Sequence, residues 1–581
     1  MNENPIDLVR SRRRSRGRTL LALSALCIPI GGGMLVSSAA QRAHAVLPTD
    51  HPFLVSTQCE TCHSNSATAT AMRDSANRAV SPFDLWRGTM MANSGRDPYW
   101  RAELSAEIAT VPSRRSEIEE KCTRCHQPMA STGPGQGDSE RHWSPDKIQD
   151  GGPRADLALD GVSCTVCHAI LPDNLRTQDS FTGGYYIDDQ DRIFGPHNVT
   201  FTGPMVNFTG KIPVQGNHIR DNAGLCASCH TLFTHTVRPD GVATGHEYPE
   251  QVPYLEWRNS IYQDEVSPGP NAVNCQGCHV PTDSVDGVPI STKIARNPIG
   301  NDYPTIPARQ PFGRHIFVGG NLFVPRMLRD NAAALRVAAP AAAFDATIAN
   351  VIAQLANRTA RVTIPSITRN GADLDVVVHV DNLCGHKYPS AYPSRRAWFR
   401  VVVTDANQQV VWRSGDYDPQ GRIVGVNGQP LSSELAGGPI QAHKDLVTNP
   451  DAPQIYEVVM GDENGAVTHR LLRAAVNVKD DRLLPLGYSS SHPDATHTAP
   501  VGTAADPNFT AGADDVTFRV NAPQASGPYH VEVQLLHQPI SARWAAELFT
   551  VQTPEVAAFQ GYWNNTDRTP AVVGSASAQG N

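Results

Sequence analysis

Long hydrophobic runs are nearly absent from this chain of 581 residues. The one candidate is Leu20 to Val36, which Pro29, Gly31, Gly32 and Gly33 interrupt, so it makes a poor permanent membrane span. Six arginines between Arg10 and Arg18 precede the run, and Ala43-His44-Ala45 follows it as a small-x-small cleavage site. Residues 1–45 are therefore expected to be an export signal cut after Ala45, with no integral membrane span left behind. Basic charge is also in short supply, at 49 Lys and Arg against 57 Asp and Glu. Removal of the leader takes away seven Arg and two acidic residues, leaving 42 against 55 and a net charge of −13. Such a surface argues against nucleic acid and anionic membrane as partners. Cysteines available for cross-linking are lacking as well. Ten of the 12 fall in five short motifs, leaving Cys27 and Cys384, so the mature chain has no disulfide framework despite its exported character. With 45 Gly and 45 Pro, long regular elements are disfavoured.

What is present is Cys59-x-x-Cys62-His63, Cys122-x-x-Cys125-His126, Cys164-x-x-Cys167-His168, Cys226-x-x-Cys229-His230 and Cys275-x-x-Cys278-His279. Each is the attachment site of a c-type haem. Two thiols at that spacing reach the two vinyl groups of one porphyrin, and the adjacent imidazole ligates the iron from below. Chance predicts about 0.01 such pentapeptides in a chain of this composition. Zinc would pair two Cys-x-x-Cys units and would not require His directly after each second Cys. Five haem c groups are expected, bound through the ten cysteines and ligated by His63, His126, His168, His230 and His279.

Residues 46–321 therefore read as a pentahaem domain. The motifs span 221 residues, too few for a separate apolar core around each haem, so the porphyrins themselves must form much of the core. Haems packed so closely form an electron-transfer wire, or a wire feeding a site. The wrapping is expected to be short helices and loops. Helices are expected over 113–121, capped by Ser113 or Ser116, over 83–104 and over 254–263, with loops over 131–160 and 181–217.

Three further segments carry a family resemblance: Trp86-Arg-Gly-Thr-Met90-Met91, Tyr254-Leu-Glu256-Trp257-Arg-Asn-Ser260 and Arg314-His315-Ile-Phe317. They resemble the large multihaem c-type cytochromes related to the tetrahaem cytochrome of hydroxylamine oxidation. In that class a Trp-x-x-Ser-x-His segment precedes a haem motif and supplies a distal ligand. Here Met91 and Tyr262 stand where that His would be. Asn382-Leu-Cys384-Gly385-His386-Lys387-Tyr-Pro389 resembles a Gly-His-Lys-x-Pro loop of the same class. The resemblance implies electron transfer, with Met91, His218, His235, His315 and His386 as distal ligands and His197 and His246 in reserve. Lys387, Arg395 and Arg396 are candidates to pair with haem propionates.

Residues 322–360 read as a helical connector broken at Pro340. From about residue 361 the pattern changes to period two, with strands expected over 373–380, 398–404, 409–413, 454–460, 516–520 and 529–536. These suggest an antiparallel β-sandwich of immunoglobulin-like type over 361–560, followed by a disordered tail over 561–581. The fold class is thus α+β and multidomain. The expected function is that of a periplasmic or cell-surface electron carrier serving redox partner proteins: quinol-linked or soluble cytochromes, or a terminal reductase. The alternative is a multihaem oxidoreductase with one open haem acting on a small nitrogen or sulfur species. Pentahaem nitrite reductases resemble this chain in haem number but use Cys-x-x-Cys-Lys at the catalytic haem, and no such motif is present.

Overall fold

Each cysteine motif winds into a turn of helix, and the spacing explains why this suits the chemistry. Residues i, i+3 and i+4 share one helix face, so both thiols and the imidazole of a motif point the same way. The five motif helices are α1 (Ser56–His63), α2 (Arg115–His126), α3 (Cys164–Ala169), α4 (Gly224–His230) and α5 (Cys275–His279). This computed structural model describes residues 52–132, 143–198, 201–521 and 525–580. The expected export signal lies outside the described residues. Among them, no helix is long and apolar enough to cross a membrane.

The segments between the motifs depart from expectation in several places. Arg114, rather than Ser113 or Ser116, precedes α2, and no side chain caps it. The single helix expected over 83–104 is two, Pro82–Trp86 and Pro98–Thr110, separated by a turn. Two N-caps account for the break: Ser81 caps the first helix, and Asp97 accepts from the amides of Tyr99 (2.9 Å) and Trp100 (3.4 Å) to start the second. The helix expected over 254–263 is confined to Pro253–Arg258. Within the expected loops lie the helices Pro153–Leu159 and Gly203–Thr209 and a parallel strand pair, Arg192–Gly195 with Ile212–Gln215.

The connector forms Phe323–Asp330 and the long helix α6 (Ala341–Arg358), with Pro340 as its N-cap. Two sheets follow. One has the order β5-β8-β2-β1, from Leu446–Val447, Ala513–Asn521, Asp373–Asn382 and Ala360–Asn370. The other has the order β7-β6-β3-β9-β10, from Val476–Asp480, Ile455–Gly461, Arg396–Thr404, Tyr529–Gln538 and Ala571–Gly580, with β4 (Val410–Ser414) also on β3. All six expected strands are present. The pairs are antiparallel except for β5 with β8.

The period-two pattern finds its cause in the core shared by the sheets. Leu374, Val376, Val378 and Val380 of β2 meet Phe399, Val401 and Val403 of β3, Val516, Phe518 and Val520 of β8 and Val531, Val533 and Leu535 of β9, all buried. Each such side chain contributes about 1.5–3 kcal/mol on burial.

The C-terminal tail is a correction. Residues 571–580 form β10, paired along β9 from Tyr529↔Gly580 to His537↔Ala571, and the helix α7 (Pro554–Asn565) precedes it. Small alternating residues concealed this strand, because its backbone pairing carries it and its outward face is exposed. Helix α7 also reaches the N-terminal half. Phe559 and Trp563 join Ala102, Ala106, Phe323, Met327 and Phe344 in a second buried cluster. The described residues form one compact unit.

Candidate functional site

All five motifs line one cavity of about 1600 Å3. Its lining includes the ten motif cysteines, the five motif histidines, Met91, His235, His315 and His386. Every described cysteine is a free thiol.

The order of the motifs in space differs from their order in the chain. Cys59 and Cys164 lie close together, which places the first motif near the third. Cys125 and Cys229 join the second to the fourth, and Cys226 and Cys275 join the fourth to the fifth. Cys167 lies near Cys229, so the third neighbours the fourth. The histidines repeat the pattern: His63 is close to His168, and His230 to both His126 and His279. The layout is a branched line, first–third–fourth, with the second and fifth motifs both meeting the fourth.

The imidazoles are enclosed by the chain yet open to the cavity. His63 Nδ1 donates to the Ile294 carbonyl (3.0 Å), His168 Nδ1 to Phe194 (2.5 Å) and His279 Nδ1 to Val318 (2.7 Å). A carbonyl can only accept, so each ring carries its proton on Nδ1 and keeps Nε2 bare. That tautomer is the one an Nε2 metal ligand needs. Burial pushes His126 and His230 down to about 4 and also lowers His63, His168 and His279, so all five are neutral at pH 7. His126 stacks on Trp100, with centroids 4.6 Å apart and planes 3° apart.

Two distal candidates share this preparation. His315 Nδ1 donates to Gly313 (3.0 Å) and His386 Nδ1 to Lys387 (2.9 Å). The His315 ring faces His168 with centroids 6.5 Å apart and planes 19° apart. His386 lies close to His230 and His279.

The remaining candidates are placed differently. His235 is exposed and lies 3.4 Å from Glu247. His218 is buried, but its Nε2 donates to the Ile170 carbonyl (2.9 Å) and its ring packs on Phe194. His197 is half-buried on the cavity wall, and His246 is exposed on the strand Ala243–Gln251. Met91 is half-buried on the wall, and its carbonyl accepts from the Val162 amide (2.9 Å) just ahead of the third motif.

The His386 loop packs on the segment that has Tyr in the ligand position. A Cβ on Gly385 would lie 3.2 Å from Trp257 Cδ1 and 3.6 Å from Tyr262 Cδ2, so the loop packs closely on both rings. The loop is held by a buried charge network. Lys387 Nζ lies 2.7 Å from Asp480, Arg482 bridges Asp480 (2.8 Å) and Glu256 (3.1 Å), and the Lys387 amide donates to Glu256 (3.1 Å). Lys387 is therefore committed, as is Arg396, which forms a buried bidentate pair with Glu434 (2.7 Å). Neither is free for a propionate. Arg395 lines the cavity and donates to Ser390 (2.7 Å), leaving it the available cation of the three.

Sequence reading missed a group of acids beside the second motif. Glu107 and Glu250 are buried near Cys122, and burial pushes both up to about 7. Glu107 accepts from the amides of Leu471 (2.7 Å) and Leu472 (3.2 Å), while Glu103 pairs with Arg470 (3.1 Å). On a short helix Glu103 and Glu107 look like ordinary solvated charges, but Arg470, Leu471, Leu472 and Trp544 of the second half of the chain meet them.

The residues fit haem c: free thiols and neutral imidazoles, three of them with Nε2 bare, converge on one cavity. No protein-family model matches the chain, and no curated protein matches it by sequence. Among solved structures, that of a penta-heme cytochrome c552 from Thermochromatium tepidum is similar over 91% of this chain and 99% of that chain. The TM-score is 0.50 and the identity 15%, so the likeness is one of fold.

Proposed function

We propose that this chain is an extracytoplasmic multihaem c-type cytochrome that transfers electrons between redox partner proteins along five covalently bound haems. The observation that carries this reading is the closeness of motifs far apart in sequence, Cys59 with Cys164, Cys125 with Cys229 and Cys226 with Cys275. Attachment points this close would bring neighbouring porphyrins together. The bound haems would supply one-electron chemistry, and the chain sets its course through spacing, ligand identity and burial.

The ten motif cysteines attach the haems, and His63, His126, His168, His230 and His279 ligate from the proximal side. His315 would ligate opposite His168, and His386 would serve the fourth or fifth motif from the second half of the chain. Met91 is the candidate beside the third motif. His218 and His235 are the weaker candidates, since one commits Nε2 to a carbonyl and the other faces Glu247. In this reading residues 46–321 hold the haems, 322–360 connect, and the sheets from 361 onward form an immunoglobulin-like β-sandwich that props His386 in place.

One observation favours the alternative, an oxidoreductase with an open haem. Glu107 and Glu250, both with raised pKa values, stand beside the second motif, where protons could be delivered to a bound nitrogen or sulfur species.

The test is low-temperature EPR with optical spectra on the oxidised holoprotein, repeated with cyanide, after counting haems by mass. Five low-spin haems indifferent to cyanide support the carrier and rule out the enzyme. One high-spin haem that binds cyanide favours the enzyme over the carrier. Fewer than five attached haems would overturn the assignment itself.

A further inference from the structure

Three side chains converge beside β8. His443 precedes β5, Asp506 lies in the loop leading to β8, and Asp514 is on β8. One ligand atom from each lies within 4.8 Å of the others. We propose that His443 Nε2, Asp506 Oδ2 and Asp514 Oδ1 form a binding site for a divalent cation of the zinc type, which ties the two sheets together.

Three observations support the site. First, Asp506 and Asp514 are each held through the other carboxylate oxygen. Asp506 Oδ1 accepts from the amides of Asn508 (2.9 Å) and Phe509 (3.1 Å), while Oδ2 lies 2.9 Å from His443 Nε2. Asp514 Oδ2 accepts from the Tyr456 hydroxyl (2.6 Å). Its Oδ1 is buried, the residue is 0% exposed, and no hydrogen-bond partner meets this atom among the described residues. An orphaned carboxylate oxygen in the interior is costly unless a cation or proton meets it.

Second, His443 has the support that a metal-binding imidazole requires. Its Nδ1 lies 3.1 Å from Asp481 Oδ2, and the Gln454 amide reaches both atoms at 3.0 Å. A carboxylate behind the ring fixes the tautomer and strengthens the opposite nitrogen as a donor. The ring is also wedged edge-on against Phe509, at 5.2 Å.

Third, Asp506 and Asp514 bring two carboxylates to one point, whose charge a divalent ion would neutralise. One nitrogen and two oxygens suit zinc or a neighbouring transition ion, whereas calcium and magnesium prefer oxygen alone.

The test uses the full holoprotein, stripped with EDTA and dialysed against Zn2+ or Ca2+, with metal counted by mass spectrometry alongside iron. One Zn2+ per chain is expected, with Ca2+ not retained. Asp514→Asn and His443→Gln should weaken Zn2+ by about 100-fold or more, and Asp481→Asn by about 10-fold, with iron content unchanged. Zn2+ should raise the melting temperature of the wild type and not that of Asp514→Asn. Absence of Zn2+ binding by the wild type, preference for Ca2+, or Zn2+ retained equally by both ligand variants would overturn the proposal. The wild-type result stands even where a variant fails to fold.

Discussion

The Trp257 indole donates to the Val273 carbonyl at 2.9 Å, two residues ahead of Cys275. Trp86 makes the same bond to Val162 at 3.0 Å, two residues ahead of Cys164. The fifth residue after each tryptophan returns the contact: the Val162 amide donates to Met91 (2.9 Å) and the Val273 amide to Tyr262 (2.8 Å). One device thus positions both the third and fifth motifs. It places a thioether side chain beside the cavity in one case and a phenol in the other.

Trp257→Phe removes that indole donor and leaves the Val273 carbonyl without it. The expected cost is about 1–3 kcal/mol, read by chemical denaturation. Tyr262→Phe should leave every haem spectrum unchanged, because the Gly385-His386 loop packs over that ring. His386→Ala should convert one haem to the high-spin state in EPR. A high-spin signal from Tyr262→Phe instead would make the phenol the ligand.

Gly161 sits at φ +64°, and a Cβ there would lie 2.6 Å from the Met91 carbonyl. Gly161→Ala should cost about 2 kcal/mol through left-handed strain and that clash, and should shift the segment carrying Met91. A thermal melt reads the first effect. The near-infrared band of a Met-ligated haem reads the second, if Met91 ligates.

Removing the Lys387 charge tests how the His386 loop is held. Burial opposes ionisation of Asp480, but Arg482 and Lys387 outweigh it and hold the carboxyl down to about 2. The resulting stability is fully present above the ordinary carboxylate value and is lost as pH falls toward 2. Lys387→Met should cost about 3 kcal/mol at neutral pH, and its difference from the wild type should shrink across that acidic window. A difference independent of pH would show that lost packing, not charge, is responsible.

Glu107 and Glu250 predict a pH dependence of the opposite sign. Their folded values near 7 lie above the ordinary 4.5, so the native state holds extra protons between these limits and loses stability as pH rises through them. An electron added at the second motif favours protonation further. The potential of one haem should therefore fall with rising pH near 7, by at most about 59 mV per unit. Glu107→Gln and Glu250→Gln should flatten that slope in spectroelectrochemical titrations.

What the sequence determined by itself was local. Cys, Cys and His at i, i+3 and i+4 define a haem-binding face whatever surrounds it, and the alternation in Asp373–Asn382 or Ala513–Asn521 defines a strand with one buried side. Tertiary structure decided everything that depends on residues far apart in the chain. It brought Cys59 to Cys164, turned His315 toward His168, and carried His386 across to the segment where Tyr262 replaces the expected histidine. It also committed Lys387 to Asp480, paired the tail Ala571–Gly580 with β9, and buried His443 between Asp481 and Asp506. The reason is physical: attachment needs one turn of helix, whereas a distal ligand, an ion pair or a sheet edge is defined by its partner, and no local periodicity encodes where that partner lies.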